Sequence, residues 1–253
     1  MLEFMEYGDG LGAAGTVLRE HANRNGPQAA VPTCPGWTLR DLVAHQGAVH
    51  RWAAGVIRTG SLDTVDADAS FAEGLADPDQ LTWFDEGARA LLQALADAPE
   101  DLDVPFFLAG DPPPLMGWAR RQCHETTIHA VDAMSASFGR APLPAETWLG
   151  PRLAADGVDE LLTGFLPRRR HRLRSESPIT VRVESTDTGQ AWTLSVSAEP
   201  VTTVRGGEAS ADVVLSGTAV ELYLGLWNRS DGPTSSDPGF LTQWRDQMQV
   251  SWR

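Results

Sequence analysis

The chain has 253 residues, 42% of them hydrophobic, with nine Trp, enough for one large domain or two modest ones with a sizeable core. Its formal net charge of −14 argues against duplex nucleic acid or an anionic membrane surface as a partner, since both call for a basic face. Cys34 and Cys123 are the only cysteines and form no CxxC, so a disulfide framework is set aside and a reducing cytoplasm is the expected compartment.

The first residues lack the basic and apolar stretches of a signal peptide, and no apolar run is long enough to span a bilayer. Residues 11–25 read as a first helix. Thr38 opens a second, running to residue 58, with Asp41 in a capping-box position and Trp37 placed to staple against Leu42. At ~3.6 residues per turn Leu42, His45, Val49, Trp52 and Val56 share its buried face, while His50 falls about 140° away, at the flank or surface. Residues 80–98 set Leu81, Phe84, Ala88, Leu91, Leu92 and Leu95 at helical spacing. The Pro-rich segment 111–114 forbids helix and then launches a fourth over 115–138, which Gly139 ends. Four amphipathic helices with longer connections suggest a bundle, a fold that often builds metal sites from inward-projecting side chains.

Beyond residue 142 the texture changes. A helix over 147–166 leads to the basic run Arg168-Arg-Arg-His-Arg-Leu-Arg174, read as a solvated hinge. Strand signals follow at 179–185 and 191–198, joined across Thr186-Asp-Thr-Gly189, and again at 211–216. A helix at 218–227, a loop at 230–238 and an amphipathic piece at 239–250 close the chain. The predicted organisation is an all-α four-helix bundle over 1–142 and an α+β domain over 143–253.

Chemistry concentrates on the second and fourth helices. Arg121, Glu125, His129 and Asp132 form one stripe at i, i+4, i+8 and i+11. Glu125 and His129, joined by His45 from another helix, make a two-nitrogen, one-carboxylate pocket that leaves metal positions open, the layout of a catalytic metal site. The residues alone leave a second reading for each part. His45 is either a ligand or a core histidine bonded to a neighbouring side chain. The stripe is either a solvated face carrying an Arg121–Glu125 pair or a buried one whose charges are paired or metal-bound. Trp118, Cys123, Ile128 and Met134 leave no clean polar side, which favours burial. Asp132 and Arg121 are candidates to support the ligands from behind. His124 points elsewhere, and Cys34 and Cys123 read as small buried hydrophobes. The absence of GxSxG and Walker-type motifs leaves serine-hydrolase and P-loop readings without support.

Val31-Pro-Thr-Cys-Pro-Gly-Trp-Thr-Leu-Arg-Asp-Leu-Val-Ala-His45, with Trp118-Ala-Arg-Arg-Gln-Cys-His-Glu-Thr-Thr-Ile-His-Ala-Val-Asp132, resembles the mycothiol-dependent maleylpyruvate isomerase family, a branch of the DinB-like four-helix metalloproteins. The resemblance covers nearly the whole chain. Ala211-Asp-Val-Val-Leu-Ser-Gly-Thr218, followed by Leu226-Trp-Asn-Arg229, looks like that family's C-terminal domain, which is similar to sterol-carrier-type domains. The resemblance implies His45, Glu125 and His129 as ligands of a divalent metal, usually zinc, with mycothiol as thiol cosubstrate. It also implies a C-terminal arginine reaching the substrate cleft; Arg229 matches best and Arg205 is the other candidate. The implied activity is that of a metal- and mycothiol-dependent transferase or isomerase acting on a small electrophile, with the arginine holding a substrate carboxylate. Two other classes stay open: a metal-dependent hydrolase without thiol, and a non-catalytic module binding a small ligand. The nitrogen–oxygen donor set accommodates Zn²⁺, Ni²⁺ and Fe²⁺ alike.

Overall fold

The structure, a computed structural model, describes residues 1–108, 112–168, 172–207 and 210–248. The chain divides into two compact units: Leu2–Phe107 with Asp111–Pro142, and Leu143–Arg253 with Met1 and Leu108–Gly110.

The first unit holds α1 (Phe4–Asn25), α2 (Leu39–Thr59), α3 (Ala67–Ala76), α4 (Gln80–Asp97) and α5 (Pro114–Phe138). The four long helices form the bundle, with α1 along α5 and α2 against α4 and α5. Leu11 and Leu18, Leu39 and Leu42, Phe84 and Leu91, and Trp118 and Val131 are buried, one pair from each long helix. At α2 the expected cap forms: Thr38 N donates to Asp41 Oδ2 at 2.8 Å, and Asp41 N donates back to Thr38 Oγ1 at 3.4 Å.

Two features escape the sequence pattern. Helix α1 begins at Phe4 rather than at residue 11, because Glu3 and Glu6 form a capping box and Tyr7 is buried, its hydroxyl accepting from Leu2 N at 3.2 Å. Gly8, Gly10 and Gly12 hide that turn from any propensity argument. Helix α3 was not predicted; it is capped by Asp66, which accepts from Ala69 N at 3.0 Å. Gln80 Nε2 ties it to α2 by donating to Gly74 O at 2.8 Å and Arg40 O at 2.9 Å. Trp83 of α4 packs against glycines of both helices: a Cβ at Gly47 would lie 2.2 Å from its ring, and one at Gly74 2.6 Å.

Helix α5 is buried at every position from Gly117 to Ser135. A helix buried on all sides is the central element of its unit, and the stripe from Arg121 to Asp132 has no solvated face.

In the second unit α6 (Pro151–Glu160) runs into a single π turn, Leu161–Phe165, closed by Leu166 N to Leu161 O at 3.0 Å. Then come β1 (Ile179–Ser185), β2 (Ala191–Val196), β3 (Thr202–Arg205), β4 (Val213–Gly217), α7 (Ala219–Leu226), β5 (Thr234–Ser235) and α8 (Pro238–Gln247). The sheet order is β3-β2-β1-β4-β5, with β1 and β2 antiparallel and β4 parallel to β1. Gly189, at φ 69°, supplies the left-handed residue of the β1–β2 turn. Val181, Val183, Trp192, Leu194, Val196, Val213 and Leu215 alternate into the core. Helices α6 and α7 approach so closely that a Cβ on Gly157 would lie 2.2 Å from Tyr223.

The fold is thus an N-terminal all-α four-helix bundle followed by an α+β domain. Strand β3 was missed because its side chains are mostly exposed, and β5 because two residues within the segment read as a loop carry no periodicity. Residues 169–171 of the basic run and 249–250 of the last predicted helix lie outside the described residues. Among the described residues no helix is long and apolar enough to cross a membrane.

Candidate metal centre

Helix α2 presents His45, and α5 presents Glu125 and His129 one turn apart. The three donor atoms lie within 4.8 Å of one another. His45 Nε2 is 3.7 Å and His129 Nε2 3.3 Å from the same oxygen, Glu125 Oε1. Donors bound to one zinc at 2.0–2.2 Å in a tetrahedron stand about 3.3–3.6 Å apart, so this spacing suits a shared ion better than direct hydrogen bonds. His45 Nε2 and Glu125 Oε1 are indeed buried and without a hydrogen-bond partner. A carboxylate oxygen left bare in a protein interior is costly, and a cation beside it removes the cost. The residues present therefore fit a divalent metal.

The surroundings hold each donor in place. Arg121, fully buried, donates Nη2 to Glu125 Oε2 at 3.1 Å, which leaves Oε1 for the pocket. His129 Nδ1 bonds Asp132 Oδ2 at 2.9 Å, so the ring turns Nε2 toward Glu125. Thr33 Oγ1 in turn donates to Asp132 Oδ1 at 2.6 Å. Burial works against the Glu125 charge, yet the nearby imidazoles of His129 and His45 and the Arg121 guanidinium hold this carboxyl well below the usual range. Burial likewise works against a charged His129, but its bond to Asp132 and the nearby Glu125 carboxylate push it up to about 9. His45 moves the other way, lowered by burial against the pull of Glu125.

Three neighbours of the triad, Thr33, Cys34 and Trp37, were not assigned to the site from the sequence, and all sit in the turn before α2. This turn is closed by Val31 N to Trp37 O, Cys34 N to Val31 O and Trp37 N to Cys34 O, each at 3.0 Å. Thr33 anchors it to α5. Trp37, expected to staple against Leu42, sets its ring 5.1 Å from that of His45 and stacks over His129 at 6.5 Å. Cys34 is half-buried rather than a core hydrophobe, and its sulfur lies within 4.8 Å of donor atoms of His129 and Asp132. The dense run from Thr33 to Trp37, mixing hydroxyl, thiol and indole in a proline–glycine turn, was the available signal. Cys123 is buried as expected.

His50 corrects the prediction. It is fully buried, not at the surface, because α4 covers the side of α2 that the bundle seam leaves open; its ring lies 5.4 Å from Phe84. His50 Nε2 is 2.9 Å from Thr126 Oγ1, beside Glu125. His124 is buried edge-on against Tyr7 and takes no part in the triad.

The two arginine candidates belong to the second unit. Arg205 grips Asp159 through Nε at 2.6 Å and Nη2 at 2.8 Å, and Asp159 also receives Trp192 Nε1 at 2.8 Å. That is a structural pairing between β3 and α6. Arg229 follows Asn228, whose φ is 60°, and donates Nη1 to Trp227 O at 2.8 Å.

Residues 11–134 match the family model described as the mycothiol maleylpyruvate isomerase N-terminal domain, and residues 152–246 match the C-terminal domain of the same family. The chain belongs to the mycothiol maleylpyruvate isomerase family. Both of the family's domains are therefore present, in the family's order. Among solved structures, the crystal structure of a mycothiol-dependent maleylpyruvate isomerase is similar at 17% identity and a TM-score of 0.65, over 93% of each chain. A histidine-to-alanine mutant of a mycothiol-dependent maleylpyruvate isomerase is similar at 16% identity and a TM-score of 0.63, again over 93% of each chain. At that identity the likeness shows the shared fold. No curated protein sequence matches the chain.

Proposed function

We propose that this member of the family is a divalent-metal- and mycothiol-dependent transferase or isomerase acting on a small electrophile. One observation carries the reading: two buried donor atoms, His45 Nε2 and Glu125 Oε1, lack hydrogen-bond partners and stand with His129 at the spacing of a metal cage. Membership of a family named for a mycothiol-dependent isomerase supports the thiol half of the proposal.

His45, Glu125 and His129 would hold a divalent ion, which would supply Lewis acidity that favours the thiolate form of a thiol at neutral pH. The protein's own residues do the remaining work. Two neutral imidazoles and one carboxylate would cancel only one unit of a divalent ion's charge. Arg121 keeps one oxygen of Glu125 occupied so that the other faces inward. Asp132 fixes the tautomer of His129, and the apolar Trp37 ring stacks on His129 and meets His45 edge to face. None of the three triad side chains serves as a nucleophile, a role that a small diffusible thiol would fill.

Sulfur addition to an electrophilic carbon is the bond-forming event common to the two activities. In a cis-alkene, rotation about the new single bond followed by elimination returns the thiol and yields the isomer. In other electrophiles the adduct is the product. Arg229 is the side chain assigned to a substrate carboxylate, which a guanidinium binds through two parallel hydrogen bonds.

The test is turnover of an electrophile panel by the metal-loaded protein with mycothiol, with other thiols and with none. Turnover that requires a thiol, fastest with mycothiol, is expected. Equal activity without thiol points to a hydrolase, and no turnover across the panel points to a binding module.

A further inference from the structure

The turn before α2 brings a thiol to the rear of the triad. Cys34 Sγ, a ring nitrogen of His129 and a carboxylate oxygen of Asp132 lie within 4.8 Å of one another. Together they offer one sulfur, one nitrogen and one oxygen. This donor set differs from the nitrogen–oxygen triad in softness, since thiolate favours thiophilic ions such as Cd²⁺ and Zn²⁺ over harder ones. We propose that Cys34, His129 and Asp132 form a second, thiophilic cation site that shares His129 with the His45–Glu125–His129 triad and competes with it.

Geometry supports the site. Thr33 bonds Asp132 Oδ1 at 2.6 Å and Ser135 Oγ at 3.0 Å, which pins the turn to α5 with the Cys34 sulfur within 4.8 Å of donor atoms of His129 and Asp132. Closing a 4.8 Å spread to the roughly 3.4–3.7 Å that sulfur, nitrogen and oxygen span around one tetrahedral ion takes about 1 Å of side-chain motion. Cys34 is half-buried while His129 and Asp132 are buried, so an ion arrives from the thiol side.

Competition follows from the chemistry of imidazole. The nitrogen facing Asp132 is Nδ1, at 2.9 Å, whereas Nε2 faces Glu125. A neutral imidazole has one lone-pair nitrogen, and the other carries a proton. An ion on Nδ1 therefore replaces the Nδ1–H bond to Asp132 and leaves the proton on Nε2, pointing at Glu125, where the triad needs a lone pair. Binding at the second site releases the thiol proton to solvent and forms metal–sulfur, metal–nitrogen and metal–oxygen bonds. No electron is transferred. The proposal builds on the metal reading of the triad but is separable from it.

Titrating the metal-free, full-length protein with Co²⁺ tests both, because thiolate ligation gives a near-ultraviolet sulfur-to-cobalt charge-transfer band that nitrogen and oxygen ligands do not. In His45→Ala, where the triad lacks a ligand, the charge-transfer band should develop at lower Co²⁺ than in the wild type. It should vanish in His129→Ala and in Cys34→Ser, and after iodoacetamide treatment of the folded wild-type protein, which covers the case of a variant that folds poorly. Cd²⁺ affinity in the His45→Ala background should fall at least about tenfold when Cys34→Ser is added, as expected for loss of the one soft ligand. Absence of the band at saturating Co²⁺ in both wild type and His45→Ala overturns the second site, as does a band that survives Cys34→Ser. Failure of the triad reads differently: visible cobalt d–d absorption without sulfur character would be unchanged by His45→Ala and by Glu125→Gln.

Discussion

Asp132 Oδ2 stands 2.9 Å from His129 Nδ1, and this contact decides which nitrogen of the ring faces Glu125. A carboxylate behind a histidine ligand fixes its tautomer and raises its basicity, and its loss typically costs about 10–100-fold in metal affinity. Asp132→Asn is expected to weaken zinc binding by that factor while leaving the helix content unchanged. Competition against a fluorescent zinc chelator, alongside circular dichroism, makes the comparison.

Helix α2 carries His45 into the bundle only because it can lie close to α4. Trp83 fills the space where a side chain on Gly47 would be, 2.2 Å from the nearest ring atom. Gly47→Ala should gain about 1 kcal/mol of helix propensity, but the overpacking that displaces Trp83 costs typically 1–3 kcal/mol or more. A net loss is expected as a lower urea midpoint at unchanged m-value. A midpoint at or above the wild type would show that Trp83 yields freely.

Acid stability should carry the signature of His50. Burial lowers its pKa from 6.5 to about 3 in the folded chain. The unfolded chain takes up this proton below about 6.5 and the folded chain only near 3, so the unfolded state binds more protons across that window. Stability attributable to His50 is intact above pH 6.5 and is lost as pH falls toward 3, at up to about 1.4 kcal/mol per pH unit. In His50→Gln that component is missing, so the stability gap between wild type and variant should narrow as the pH is lowered from 7 to 4. Urea unfolding at each pH measures the gap, and a gap that stays constant would count against a neutral buried His50.

Arg229 is expected to act on substrate and not on the metal. Arg229→Ala should leave the metal content intact and lower kcat/KM about 10–100-fold, the range of a lost charge-assisted hydrogen bond of about 1.5–3 kcal/mol. Arg229→Lys should recover little, because an ammonium cannot make the paired contact. If neither variant changes turnover of a carboxylate-bearing electrophile, the assignment fails.

Much of this architecture is legible from periodicity and punctuation. The cap at Thr38, the stop at Gly139 and the alternation of β1 and β2 are local signals, and the structure repeats them. The His45–Glu125–His129 constellation was readable because two of its members are one helical turn apart and the third lies on an apolar stripe. What escaped depends on packing across the chain. The burial of His50 required knowing that α4 lies against the second side of α2. Trp37 and Cys34 were assigned by type, as a staple and a small hydrophobe, whereas the Thr33–Asp132 hydrogen bond, 99 positions apart in sequence, turns their loop toward α5. Helix α3 and strand β3 lack an amphipathic stripe of their own, so no period announces them.

The central claim is that His45, Glu125 and His129 together hold one divalent ion. The direct measurement is the metal-to-protein ratio by inductively coupled plasma mass spectrometry, for wild type, His45→Ala, Glu125→Gln and His129→Ala purified in parallel. With three of the four usual protein or solvent ligand positions supplied by the triad, about one ion per wild-type chain is predicted, falling sharply in every variant. Unchanged occupancy in both His45→Ala and His129→Ala would contradict the account.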